Sequence, residues 1–372
     1  MSVAAWLWAV VVALDDRRHR LSLDDVEPTA DEGTVSVIVP ARNESGRLAP
    51  ALASLEAQTH TRLEVIVVDD ESEDDTYAEA SRFSSARIRV LQGAPLPPGW
   101  VGKSWANHQG TRLATGEWLL FTDADVIHAT DAVARAVALT EHLGAPGLTL
   151  LPVLESGSPA ERIVQPAAAV LIRSFVAPGP LVRLRVAPTA IAAGGFILLR
   201  RTLYDDVGGH AAIRNRLVDD KALAERVKRH AGPLAIASSG GRVRVRMYRG
   251  AREVWCGWRK NTSVGLAEGS PLLAGTTAVG GIAVSLWPYL AVARGPRTLG
   301  AAAVLLQVAA RWDVEPVAPT PRLYRLTLPL GCCFLSVTSL VSTIDRVRGR
   351  VSWRGRRYVT DPRGARRAPR LG

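Results

Sequence analysis

The chain has 372 residues, room for one large domain or two, and a net charge of +11 from 46 basic and 35 acidic side chains. Three cysteines with no C-x-x-C step exclude a disulfide scaffold, and seven scattered histidines with no H-E-x-x-H spacing exclude a zinc protease. A basic balance suits an anionic membrane, nucleic acid or phosphorylated ligands. The arginines gather between Arg346 and Arg370 with few aromatics among them, which argues against a nucleic-acid platform.

Residues 1–20 open with a short apolar stretch, Val3 to Leu14, flanked by Arg17, Arg18 and Arg20. It is shorter than the roughly 20 residues of a spanning helix, and no basic n-region or cleavage site marks a secretory signal. A short membrane anchor or interfacial helix is expected, its arginines on the cytoplasmic side. A buried core helix is the other reading.

From Thr34 strands and helices alternate. Val35 to Val39 is a strand ending at Pro40. Leu48, Ala51, Leu52 and Leu55 have helical spacing. Leu63 to Val68 is a second strand, ending at Asp69 and Asp70, after which Ser72 and Asp75 have the spacing of a capping box. Ile88 to Leu91 is a third, and a Pro/Gly loop then leads to a helix from Ser104. Trp118 to Phe121 is a fourth buried strand, ending at the pair Asp123 and Asp125. Strands apolar on both faces predict a mostly parallel sheet with helices on both sides, whose ligands bind beyond the carboxyl ends of the strands. Asn43, Glu44, Asp69, Asp70, Asp123 and Asp125 all fall there. Two carboxylates one residue apart at such an end suit a hard cation, Mg²⁺ or Mn²⁺, which in turn holds a diphosphate.

Further on, Gly194 and Gly195 precede an apolar run, Phe196 to Leu199. Asp219 and Asp220 lead into a helix with Ala222, Leu223 and Val227 inward, and Gly240 to Met247 alternates as a half-exposed strand. Leu272 to Ala293 and Leu326 to Ile344 carry no charge, and Thr298 to Ala310 is apolar but short. Two or three membrane helices over 270–345 are expected, with a basic cytoplasmic tail over 346–372. A buried helical subdomain is the alternative.

The segments VSVIVPARNE (Val35–Glu44), EVIVVDDESEDDT (Glu64–Thr76), Gly102–Lys103, GEWLLFTDAD (Gly116–Asp125), GGFILLRR (Gly194–Arg201) and VDDKALAERV (Val218–Val227) together resemble a family 2 glycosyltransferase of the GT-A fold. PPGWVGKSWA (Pro97–Ala106), GWRKN (Gly257–Asn261) and SWRGRRY (Ser352–Tyr358) resemble its membrane-attached branch from hopanoid and carotenoid gene neighbourhoods, which includes transferases similar to the diaponeurosporenoate enzymes.

The resemblance implies a GT-A domain over 34–262, Rossmann-like, with C-terminal transmembrane helices. It implies inverting transfer of one sugar from a nucleotide-diphospho-sugar, with a UDP-sugar favoured, to a lipid-like isoprenoid acceptor at the cytoplasmic membrane. The catalytic domain would face the cytoplasm, without a nucleic-acid partner. A polyprenyl-phosphate sugar synthase and a non-catalytic membrane scaffold are the alternatives.

By the same resemblance Asp125, with Asp123, holds the Mg²⁺ or Mn²⁺. Pro40, Asn43, Glu44, Asp69, Asp70, Lys103 and Asp123 bind the nucleotide-sugar. Asp220, with Asp219 beside it, is the base that removes the acceptor proton. Helix capping is the competing role for Asp69, Asp70, Asp219 and Asp220, and a solvated surface position for Lys103. Gly194, Gly195, Trp258 and Arg259 fall on the acceptor side, where packing of Trp255 and Trp258 at an interface is the other reading. WRKN at Trp258–Asn261 replaces the Q-x-x-R-W of processive synthases, which favours single-sugar transfer.

Overall fold

The computed structural model describes residues 1–28, 33–265, 271–348, 351–353, 356–360 and 366–367. The tail arginines beyond Arg348 and most of the Ser352–Tyr358 step lie outside the described side chains.

The strands are β1 (Leu21–Ser22), β2 (Val35–Ala41), β3 (Leu63–Asp69), β4 (Ile88–Gln92), β5 (Trp118–Phe121), β6 (Val126–His128), β7 (Gly147–Leu151), β8 (Val153–Leu154), β9 (Ile197–Arg200), β10 (Ala235–Ser238), β11 (Val243–Val245), β12 (Val351–Trp353), β13 (Arg356–Thr360) and β14 (Arg366–Arg367). The helices are α1 (Ser2–Arg18), α2 (Leu48–Glu56), α3 (Thr76–Ser81), α4 (Gly102–Leu113), α5 (Ala132–Leu143), α6 (Pro159–Leu171), α7 (Gly179–Val182), α8 (Arg201–Asp206), α9 (Asp219–His230), α10 (Ala251–Gly265), α11 (Pro271–Arg294), α12 (Arg297–Asp313) and α13 (Leu328–Val347). Two compact units result. One, α/β, comprises Arg20–Val153 with Leu184–Val245; the other, helical, comprises Met1–His19, Leu154–Arg183 and the chain from Arg246.

The α/β unit is built on an eight-stranded sheet in the order β1-β10-β7-β9-β5-β2-β3-β4. Every pairing is parallel except the two made by β9, which runs against β5 and β7. The central strands read as continuous apolar runs because both their faces are covered: Val37, Ile38, Val65, Ile66, Val67, Leu119 and Leu120 are all fully buried. Leu48, Ala51, Leu52 and Leu55 turn the predicted face of α2 inward.

Reversal of β9 has a local consequence. Ile197 pairs with Phe121, so the start of β9 lies at the carboxyl end of β5. The Gly194–Gly195 loop is thereby delivered to the rim where the parallel strands end. A smaller antiparallel pairing, Val243 with His128 and Val245 with Val126, fixes β6 directly after Asp125. The predicted strand from Gly240 to Met247 is real but confined to Val243–Val245.

The capping box expected at Ser72 and Asp75 is not formed. Asp75 is the N-cap of α3 but makes no side-chain cap bond, and the Ser72 hydroxyl instead accepts the Asn43 N–H at 3.0 Å. The serine ties two loops together rather than starting a helix.

In the helical unit α1 buries Trp6, Ala9, Val12 and Ala13 and leaves Leu7, Trp8, Val11 and Leu14 exposed. Asp313, buried at the end of α12, pairs with Arg17 and Arg173. Glu161 is fully buried and accepts the Gly157 and Gly250 N–H groups, each at 2.7 Å, and the Ser158 hydroxyl at 2.6 Å, with Arg246 at 3.2 Å. Two segments, Leu272–Arg294 and Arg322–Asp345, are long and apolar enough to cross a membrane. Leu272, Leu273, Val279 and Leu290 on the first are exposed. Cys332 is buried, Cys256 exposed, and all three cysteines are free thiols.

Gly116 shows how tightly β5 enters the sheet: a Cβ there would lie 2.6 Å from the Ser36 nitrogen and 2.9 Å from the Thr34 carbonyl oxygen, both on backbone that the sheet fixes. Gly116→Ala is therefore expected to cost about 1–3 kcal/mol, read as a lowered melting temperature of the full chain in detergent. An unchanged melting temperature would show that the rim's root yields.

Candidate active site

The carboxyl rim collects the predicted residues in sheet order. Asp69 and Asp70 end β3, Pro40 to Glu44 follow β2, Asp123 and Asp125 follow β5, and Gly194 and Gly195 lead into β9. Adjacent strands are about 4.8 Å apart, so β3 and β5, flanking β2, set their acidic ends roughly 10 Å from each other. Asp69 and Asp70 are buried, and Pro40, Asn43, Glu44, Asp123 and Asp125 are half-buried.

The β2 and β3 loops are stitched to each other. Asp70 N–H donates to the Ala41 carbonyl at 2.8 Å, Glu73 N–H to Asn43 Oδ1 at 2.8 Å, and Glu44 N–H to Thr76 Oγ1 at 2.8 Å. The Arg42 guanidinium donates to the Asp70 and Glu71 carbonyls, each at 2.6 Å. Asn43 and Glu71 stand at φ of 52° and 55°, a left-handed backbone that side chains other than glycine seldom adopt and that these bonds enforce. Asp69 supports this loop: its Oδ2 accepts the Ser72 N–H at 3.3 Å, while Oδ1 is buried and meets no donor among the described residues.

The other half of the rim is a charge cluster. Lys103 is in the first turn of α4 rather than in the loop before it. Its ammonium is 2.7 Å from Asp123 Oδ1 and 3.7 Å from Asp219 Oδ2. A Cβ on Gly194 would lie 3.2 Å from Lys103 Nζ, 3.2 Å from Asp220 Oδ2 and 3.5 Å from Asp123 Oδ2. The Asp123 and Asp220 carboxylates are therefore within about 7 Å of each other across a bare glycine backbone. Asp125 sits in the same turn, from which Val126 N–H returns to the Asp123 carbonyl at 3.3 Å.

Asp219 and Asp220 do not cap α9 from the N-cap position, although Asp220 Oδ1 accepts the first-turn Lys221 N–H at 2.6 Å. The N-cap of α9 is Val218, with no side-chain cap bond, and the two acids occupy the first turn, where the helix dipole favours negative charge. Both line a cleft with Lys103, Asn107, Thr122, Gly194 and His210. Burial and the Asp219 charge push the Asp220 carboxyl up to about 6, against the opposing pull of Lys103. For Lys103 burial works the other way and would lower its pKa, but the charges of Asp123, Asp219 and Asp220 outweigh it and hold the ammonium above its usual range.

Below the cluster lies a polar network that the sequence did not reveal. His210 is buried, and burial lowers its pKa to about 4, so the ring is neutral. Tyr204 Oη is 2.9 Å from His210 Nδ1 and accepts the His210 N–H at 3.0 Å, and Asn107 Nδ2 is 3.2 Å from His210 Nε2. Asn107 is one helical turn beyond Lys103 on the same face of α4, which was the available signal. The glycines before His210 were another: Gly209 has φ of 48°, and a Cβ there would fall inside the Tyr204 ring. Next to it, Thr122 Oγ1 donates to the Gly195 carbonyl at 2.8 Å and is 3.3 Å from Nε2 of His128, also buried and also held neutral by burial.

Gly195 is buried, its would-be Cβ 3.2 Å from Val126. Trp258 and Arg259 fall on α10, in the helical unit. There Trp258 packs edge-on to Tyr248 at 6.5 Å, Trp255 edge-on to Phe334 at 5.6 Å, and Arg259 pairs with Asp345. Their surroundings within that unit are those of packing residues.

As a donor set, Asp123 and Asp125 offer hard oxygens, and an ammonium already rests on Asp123, so this rim position accepts a cation. Among the described residues no three His, Cys, Asp or Glu side chains form a full protein cage. Two carboxylates fit Mg²⁺ or Mn²⁺ when a phosphate supplies further oxygens.

Comparison with known proteins agrees with this fold. Residues 36–208 match the model of glycosyl transferase family 2. The 4,4'-diaponeurosporenoate glycosyltransferase of Staphylococcus haemolyticus (strain JCSC1435) is 28% identical over 287 residues, 73% of this chain and 75% of that protein. That of Staphylococcus aureus (strain MRSA252) is 26% identical over 282 residues, 75% and 71% respectively. The solved structure of mannosyltransferase PcManGT from Pyrobaculum calidifontis, in complex with GDP-Man and Mn²⁺, superposes with a TM-score of 0.52 at 16% identity, covering 93% of this chain and 99% of that one, a likeness of fold. The match to the family 2 glycosyl transferase model, residues 36–208, takes in much of the acidic rim.

Proposed function

We propose that this glycosyltransferase moves one sugar, with inversion, from a nucleoside-diphospho-sugar to a hydroxyl or carboxyl of an isoprenoid-like acceptor at a membrane. The observation that carries the reading is the convergence of Asp123, Lys103 and Asp220 on one point beside Gly194. Inversion requires a base on the face of the sugar opposite the leaving group. Asp220, with its carboxyl near 6, is mostly ionised at neutral pH and is suited to take the proton of an acceptor hydroxyl. Lys103 adds positive charge where the nucleoside diphosphate departs. A Mg²⁺ or Mn²⁺ held by Asp125 and Asp123 would supply Lewis-acid stabilisation of that diphosphate.

Asp70, Glu44, Asn43 and the buried Asp69 present acceptors for ribose hydroxyls and the base on loops already locked together. Gly194 leaves room for the sugar between donor and base, since any side chain there would meet Asp220 and Lys103. The names of the Staphylococcus relatives support a carotenoid-type acid as acceptor, and the Mn²⁺ named in the PcManGT complex supports a divalent ion. The apolar segments Leu272–Arg294, largely exposed, and Arg322–Asp345, half buried, support membrane attachment, with Arg17, Arg18 and Arg20 on the cytoplasmic side.

The test is incubation of membranes containing the full chain with labelled UDP-glucose, Mn²⁺ and a panel of polyisoprenoid acids, alcohols and phosphates, followed by lipid extraction. Label in the lipid phase with the acids or alcohols is expected; its absence with UDP- and GDP-sugars alike would overturn the reading. With an alcohol acceptor Asp220→Asn should lower kcat by about 10²–10⁴ with little change in the donor KM, whereas an acid acceptor, already a carboxylate, needs no base. Near-normal turnover of a phosphate acceptor by that variant would mark a polyprenyl-phosphate sugar synthase instead. Because the base must be ionised to deprotonate a hydroxyl, turnover of an alcohol acceptor should rise as the pH climbs through about 6 and fall away below it. A rate flat from pH 5 to 7 would remove Asp220 from the role.

A further inference from the structure

We propose that Lys103 is a built-in competitor for the cation position on Asp123, occupying it in the ligand-free chain and releasing it to Asp219 when donor and metal arrive. The inference rests on the donor reading above and deepens it. Lys103 Nζ is bonded to Asp123 Oδ1 at 2.7 Å, the carboxylate proposed to face the metal. One oxygen cannot serve an ammonium and a divalent ion at full strength, because both are hard cations drawn to the same lone pairs. The ammonium has a second partner within a small rotation: Asp219 Oδ2, at 3.7 Å. Its flexible four-carbon stem and point charge suit such a transfer, which a planar guanidinium would resist.

Charge arithmetic favours the exchange. Asp123, Asp219 and Asp220 surround one ammonium, so the resting cluster is short of positive charge. A lone divalent ion gains Asp123 Oδ1, and with it both oxygens of the carboxylate, only by displacing Lys103. A divalent ion that brings a diphosphate with it gives the ammonium new anionic partners and removes that penalty. The chain would therefore bind metal weakly alone and firmly together with its donor. The displaced ammonium, resting on Asp219, would be shared between fewer carboxylates in the loaded site, which links donor arrival to the acceptor half of the cleft.

The experiment is titration of the full chain in detergent with Mn²⁺, followed by the Mn²⁺ electron paramagnetic resonance signal, with and without UDP. Lys103→Met should bind Mn²⁺ without nucleotide about tenfold more tightly than the unmodified chain, a change of ~1.4 kcal/mol. The added substitution Asp123→Asn should abolish that gain. No gain in Lys103→Met, or a gain that survives Asp123→Asn, overturns the proposal. If Lys103→Met does not fold, Lys103→Arg decides. Its forked guanidinium should grip the carboxylate more firmly and weaken nucleotide-free Mn²⁺ binding below that of the unmodified chain; equal or tighter binding overturns the proposal. The two readings fail separately. Mn²⁺-dependent UDP binding with no gain in Lys103→Met sinks the competitor and keeps the donor site. A gain in Lys103→Met with no UDP binding under any condition keeps the competition for Asp123 and sinks the donor reading.

Discussion

One ammonium holds the candidate site together. Asp123, Asp219 and Asp220 come from two distant stretches of chain, and bare carboxylates about 7 Å apart repel one another by roughly 2 kcal/mol at an effective dielectric near 20. Lys103 turns that repulsion into a bridge, touching Asp123 and standing near Asp219. The position of the ammonium is itself secured from below. Asn107, a turn later on α4, meets His210, and His210 is held by Tyr204. Neutrality of His210 matters here, because a second positive charge beside Lys103 would compete for the same acids.

The topology explains how so many functional groups reach one place. In a wholly parallel sheet every strand would begin at the far edge, and only strand ends would reach the rim. β9 is the exception, and its reversal brings a strand's beginning to the rim, with a Gly-Gly step as the approach. Gly194 has no side chain because three charged groups already occupy that space, and Gly195 gives its carbonyl to Thr122. The apolar run Phe196–Leu199 thus serves the core through its side chains and the site through its starting point.

Much of this was legible because the signals are local. An acid placed just beyond a buried apolar run is a strand end facing a cleft, and Asp69, Asp70, Asp123 and Asp125 obey that rule. The helical spacing of Leu48, Ala51, Leu52 and Leu55 was equally local. What the sequence hid depends on partners far apart in the chain. Asn107 meets His210 across 103 positions, and nothing near either residue announces the other. Ser72 and Asp75 have the spacing of a capping box, yet the Asn43 N–H claims the serine first. Trp258 and Arg259, read by analogy as acceptor contacts, have near neighbours that are tertiary partners, Tyr248 and Asp345, which no pattern in GWRKN specifies.

The two halves of the rim differ in how firmly they are set, and the difference suits their proposed roles. The β2 and β3 loops spend their hydrogen bonds on each other and hold Asn43 and Glu71 in an uncommon backbone conformation, so their acceptors for a nucleoside stand ready before any ligand arrives. The Lys103 ammonium itself meets its acids through charge, on a long side chain about one-third exposed, and charge can be redistributed when phosphate and metal add their own. A preformed nucleoside half lowers the ordering cost of binding, and a redistributable charge half lets the site answer to what has bound. Fixing both halves would leave Asp123 permanently occupied by lysine, and loosening both would leave the nucleoside without a rigid seat.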